Sequence, residues 1–161
     1  MAEARGFPGA FLMKRRSRSL VIALVVVVAL AGYNITFPAG KSATSNWTFV
    51  LTHPTLLLHV IVGTGILVMA VIALIRSVRG RDRPWMALSV AGLVFVLAAF
   101  VSGEDYVMSL QKSALNYMSI GWAGAVIAYG TGWYLGHRWE RREEAAPLPE
   151  GDGKPARASG P

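Results

Sequence analysis

The chain is 161 residues long, 53% hydrophobic and only 16% charged, with a formal net charge of +7. A soluble domain carries about 25% charged residues, so this composition points to lipid rather than water as the solvent. The absence of cysteine excludes disulfides, thiolate metal sites and dithiol chemistry within the chain. The basic residues flank apolar runs instead of forming an aromatic-studded stripe, which argues against nucleic acid as a partner.

Residues 1–19 form a basic N-terminal segment carrying Arg5, Lys14, Arg15, Arg16 and Arg18. A valine-rich run over 20–37 follows. Its β-branched residues are poor helix formers in water, but in lipid every backbone group needs an internal partner and the run is expected to be helical. At about 18 residues it exceeds the apolar region of a signal peptide, so it reads as an uncleaved anchor. The loop over 38–50 holds Asn46-Trp47-Thr48, a glycosylation sequon by spelling. Trp47 there suits a membrane interface.

Three more apolar runs cover about 51–75, 85–105 and 114–136, each near the length of about 20 residues that spans a bilayer core. The tail over 138–161, rich in Pro, Gly and charge towards its end, is expected to be cytoplasmic and largely disordered. Arginines cluster before the first run, between the second and third (Arg76, Arg79, Arg81, Arg83) and after the fourth (Arg138, Arg141, Arg142); the other two loops hold only Lys41 and Lys112. The positive-inside rule then places both termini and the middle loop in the cytoplasm. The expected fold is all-α: a four-transmembrane-helix antiparallel bundle over 20–137 in the plasma membrane, both termini cytoplasmic.

Helices associate in lipid through close approach of small residues. Stripes at steps of three and four give the expected contact faces. On the second span the stripe is Thr52, Thr55, His59, Gly63, Ile66 and Ala70. On the third it is Ala87, Ala91, Val94, Ala98, Ser102 and Asp105, and on the fourth Gly121, Gly124, Ala128, Gly132 and Gly136. The same faces would serve self-association.

Polar side chains collect at the outer level: Asn34, His53, His59, Ser102, Asp105, Asn116 and Tyr117. The other half reads as apolar until the arginines. Ionisable groups at membrane depth are costly and are commonly paired or functional. His59 lies six residues beyond His53, which rotates the helix by about 240°, so the two rings cannot share a metal. His59 with Gly63 one turn below suits a haem b axial ligand, the glycine leaving room for the macrocycle. The second ligand would be Met118, Met108 or His59 of a second copy, or the iron would be five-coordinate, with Tyr117 a donor to a quinone. The alternative is a structural histidine bonded to Ser102, Asn116 or Asp105. The inner half carries no buried charge and no span shows the paired Gly/Pro breaks of an alternating-access transporter, and no complete catalytic set is visible.

The ordering LTHPTLLLHVIVGTGIL, VSGEDY, ALNYMSIGWAGAVIAYG resembles a family of small four-helix prokaryotic membrane proteins, over about 32–130. That resemblance implies a fold and no activity. In size and in its mid-helix histidine the chain is also similar to small b-type cytochrome membrane subunits, though it lacks their partner ligand. The expected function is a non-enzymatic accessory or assembly subunit, its partners the bilayer and either a second copy or a larger membrane complex. The alternative is a redox carrier holding haem b or quinone around His59.

Overall fold

A computed structural model describes residues 8–31, 37 and 42–144. Among these residues the protein is all-α: α1 (Pro8–Ala31), α2 (Ala43–Thr52), α3 (Pro54–Gly80), α4 (Arg83–Ser109) and α5 (Lys112–Glu144), with no strand. Asn34, Lys41 and the tail from 145 onward lie outside the described residues.

The helix boundaries follow from local chemistry. Helix α1 takes in much of the basic segment expected over 1–19. Ser42 caps α2, its hydroxyl accepting from the Ser45 N–H at 3.4 Å. Pro54 forces the residue before it out of helical conformation; His53 is accordingly extended (φ −96°, ψ 114°) and separates α2 from α3. This single proline divides what the hydropathy pattern presents as a loop running straight into a span. Asp82 caps α4, accepting from the Trp85 N–H at 3.3 Å, with Pro84 in the first turn. Arg81 (φ 52°) and Leu110 (φ 55°) end α3 and α4 in the left-handed conformation. The links α3–α4 and α4–α5 are therefore only two residues each. At its far end α5 runs on to Glu144, so residues 138–144, the start of the expected cytoplasmic tail, are helical.

Each long helix touches two others: α1 packs on α3 and α5, and α4 packs on α3 and α5, the α4–α5 pair being the most extensive. The α4–α5 pair is antiparallel. Gly121 lies against Ala99, Gly124 against Phe95, Gly92 against Tyr129 and Gly132 against Trp85. Short α2 packs on α3 and on the C-terminal end of α4. Leu20, Leu24, Ile66, Ala70, Ala73, Trp85, Val96, Ala125 and Tyr129 form the core.

The fourth stripe is buried much as expected: Gly121, Ala128, Gly132 and Gly136 all face inward. The third is not. Ala87, Val94, Ala98 and Asp105 are exposed, whereas Trp85, Ser89, Gly92 and Val96 are buried. The buried face is displaced by two positions, about 200° of helix rotation. On α3 the stripe holds at Ile66 and Ala70 and continues through Ala73 and Ser77. At Gly63, in contrast, an added Cβ would meet nothing within 4 Å.

Two helices, α3 and α4, are long and apolar enough to cross a membrane, and only 17% of each apolar window is buried. At 27 residues each is about 40 Å long, against about 30 Å for a bilayer core. A core helix of a soluble protein would be mostly covered. Here Ile61, Val68, Val90, Val94 and Val101 are all more than 45% exposed, so the uncovered surface is itself apolar.

Candidate functional site

The residues singled out by sequence separate into those tied to backbone and those turned outward. His59, on α3, is half-buried, and its Nδ1 lies 2.9 Å from the Val27 carbonyl oxygen of α1. A carbonyl can only accept, so Nδ1 carries the proton and donates. Nε2 is left as an acceptor without a partner among the described residues. The partner is thus a backbone oxygen, and not Ser102, Asn116 or Asp105.

One turn earlier on α1, the Leu24 carbonyl accepts from the Trp122 indole N–H of α5 at 2.8 Å. Two aromatic ring donors from different helices therefore hold consecutive turns of α1, whose carbonyls each have a spare lone pair. Trp122 is the residue that sequence reasoning passed over. The available signal was chemical: an indole N–H inside an apolar, glycine-flanked run (Gly121-Trp122-Ala123-Gly124) must find an acceptor when buried in lipid or protein.

At the α2 end, Asn46 is 1% exposed and its Nδ2 donates to the Val107 carbonyl of α4 at 2.9 Å. Glycan attachment at that nitrogen would have to break this bond and uncover the side chain. The His53 ring stacks on Phe49 with centroids 3.7 Å apart, and its Nδ1 donates to the Phe49 carbonyl at 2.9 Å. Phe49 meets Phe37 at 5.2 Å, which meets Tyr106 edge-on at 5.7 Å. His53 belongs to this aromatic group, with its Nδ1 proton spent locally.

Asp105, Asn116 and Tyr117 face outward, Tyr117 being 64% exposed. Ser102 and Met118 are half-buried. The Met118 sulfur lies against Gly103 of α4, 3.5 Å from where a Cβ would be. Among the described residues no hydrogen bond joins His53, Ser102, Asp105 or Asn116 to His59. For haem b the fit is poor: His59 supplies one imidazole directed at α1, Met118 is committed to α4, Met108 is 51% exposed, and Gly63 opens on empty space rather than on a slot against a second helix. Among the described residues no group of three or more His, Asp or Glu is placed to hold a metal ion.

The half of the molecule that reads as apolar in sequence holds the more deeply buried hydroxyls. Ser17, Ser77, Ser89 and Tyr129 are each at most 1% exposed. Ser77 donates to the Leu74 carbonyl at 2.7 Å, while the hydroxyls of Ser17, Ser89 and Tyr129 have no hydrogen-bond partner among the described residues. Tyr129 fills the space above Gly92, and Trp85 with Ser17 fills that beside Gly132. These positions carry size complementarity between helices and no assembled chemistry. Comparison with protein-family models, with curated proteins and with solved structures finds no match for this chain.

Proposed function

We propose that the protein is an integral membrane protein crossing the bilayer four times, through α1, α3, α4 and α5, with both termini in the cytoplasm, and that it acts as a non-enzymatic accessory or assembly subunit. The arginine-rich helix ends of one side and the apolar girdle between the ends support the topology. The observation that carries the subunit reading is the outward face of α5. Asn116, Tyr117, Thr131 and Tyr134 are exposed there beside Ile120 and Ile127, and an open groove is lined by Val126, Ile127, Gly130, Thr131 and Tyr134. At Gly130 an added Cβ would meet nothing within 4 Å. Lipid tails have no partners for such polar groups, whereas a neighbouring helix can approach a glycine closely and bond to them.

The test uses the cysteine-free chain directly. Gln111→Cys labels with an impermeant maleimide in intact cells, and Gly80→Cys only after permeabilisation. In mild detergent the full chain migrates as a larger assembly, which Gly130→Leu dissociates. A wild-type chain that is monomeric both in detergent and after cross-linking in membranes would remove the subunit reading.

The competing reading, a redox carrier binding haem b or quinone, draws on the free Nε2 of His59. An absorption spectrum of protein expressed with haem supplied, oxidised and then reduced, decides the haem form. A Soret band stoichiometric with protein and lost in His59→Ala would establish it.

A further inference from the structure

The α3–α4 link gathers four arginines in eight residues, Arg76, Arg79, Arg81 and Arg83, all exposed. None of the four guanidinium groups has a hydrogen bond or ion pair among the described residues. The acid among them, Asp82, has a carboxylate oxygen turned to the Trp85 N–H as the cap of α4. The cluster is therefore a net-positive concentration of guanidinium groups, Arg81 on the two-residue turn and the other three on the helix ends that flank it.

The turn itself places one of them at a backbone cost. Arg81 has φ 52°, a conformation that glycine adopts freely and a residue with a Cβ does not. Gly80 stands one residue earlier, in the helix. The chain thus reverses on an arginine and projects it from the tip.

We infer that this turn is a docking surface for the phosphodiester headgroups of anionic lipid, an inference that rests on the membrane reading above. Arginine, unlike lysine, presents a planar fork that takes two phosphate oxygens at once. Every cation of the turn is arginine. The same helix ends expose apolar side chains beside the cluster, Val78 at 52% and Met86 at 37%. A phosphate held by guanidinium groups next to open apolar surface matches a lipid, whose charge is covalently attached to a hydrocarbon tail. A soluble phosphate ester would use only half of that surface.

The experiment titrates the full chain in mild detergent with equal amounts of phosphatidylglycerol and phosphatidylcholine and reads bound lipid by native mass spectrometry. Phosphatidylglycerol is expected to be retained in preference by at least about fivefold, the effect of a single basic side chain near an anionic headgroup. Replacing Arg76, Arg79, Arg81 and Arg83 together by Gln brings the ratio to parity, while Arg138→Gln/Arg142→Gln leaves a preference. Arg81→Gly serves as the fold-safe variant: it relaxes the turn, holds or raises the melting temperature, and still lowers the preference. Equal binding of the two lipids by the wild-type chain, or an unchanged preference in the quadruple variant with its helical circular dichroism intact, overturns the proposal. Displacement of the lipid by millimolar glycerol phosphate also overturns it, in favour of a soluble ester. Flotation with vesicles after alkaline extraction separates the two levels. A helical chain that fails to float removes the membrane reading and this proposal together. One that floats without lipid preference removes only the proposal.

Discussion

Around His59, three side-chain N–H groups cross between helices and end on backbone carbonyls: His59 on Val27, Trp122 on Leu24 and Asn46 on Val107. Around Tyr129, three buried hydroxyls, those of Ser17, Ser89 and Tyr129, end on no partner among the described residues. There, large side chains fill the space left by glycines on the facing helix. The first region is held by directional bonds that a single atom change can remove. The second is held by shape, and its polar atoms are carried along inside it. Removing polar groups should therefore have opposite consequences in the two regions, and removing space should damage only where helices meet at a glycine.

The largest effect is expected from space. A Cβ on Gly121 would stand 2.7 Å from the Ala99 backbone nitrogen and 2.8 Å from the Phe95 carbonyl oxygen. Backbone cannot yield as a side-chain tip can, so Gly121→Leu must push α4 and α5 apart. Overpacking of a close contact costs about 1–3 kcal/mol and more where backbone must shift. Thermal unfolding in detergent, followed by circular dichroism, should show a larger loss of stability than removal of any one interhelical hydrogen bond. A melting temperature equal to wild type would mean that α4 and α5 do not meet at this glycine.

Next come the directional bonds. Trp122→Phe and His59→Phe each remove a ring donor to α1 while keeping an aromatic ring, the first also giving up the volume of the indole's second ring. Interhelical hydrogen bonds in membrane proteins average about 0.6 kcal/mol, with a maximum of about 1.7. His59→Phe should lower stability by an amount in that range, and Trp122→Phe by more, because the smaller ring also leaves unfilled volume. The double change should cost close to the sum, because the acceptors are separate carbonyls. If His59→Phe is silent while Trp122→Phe is costly, α1 is held from α5 alone.

The same contrast explains what could be read from the sequence. The helical class follows from apolar runs that only a helix can satisfy in lipid, and α5 shows its buried face because four of its five glycines, all but Gly130, lie along one line. On α4 the small residues offered two faces. Ala87, Ala91 and Ala98 make as good a stripe as Ser89 and Gly92. The true face is selected by Trp85, which fits Gly132, and by Gly92, which receives Tyr129. That information belongs to the pair of helices and is absent from either one alone. His59 stood out because its chemistry is rare at such a position, but its partner is a backbone oxygen, which every residue has and which no residue type advertises. Asp105 and Asn116 drew attention by type and depth. Their outward orientation follows from the offset of about 200° between the two candidate faces of α4 and from the register of α5.

The smallest expected effect, and the one whose sign matters most, belongs to Tyr129→Phe. The Tyr129 ring is completely buried, against Gly92, and its hydroxyl has no partner among the described residues. A buried hydroxyl without a hydrogen bond carries a desolvation cost of about 1–3 kcal/mol by mutational measures. Phenylalanine keeps the ring that fills the space above Gly92 and discards the oxygen. The loss is one atom of packing, set against relief of an unsatisfied polar group. Stability should then be unchanged or slightly higher, and Ser89→Ala should behave in the same way, since its hydroxyl is also unpartnered among the described residues. Near Trp122 and His59 the equivalent removal of a polar atom lowers stability. A clear loss on Tyr129→Phe would show that the hydroxyl is hydrogen-bonded, to water or to a carbonyl, and that this half of the molecule is polar-specified like the other.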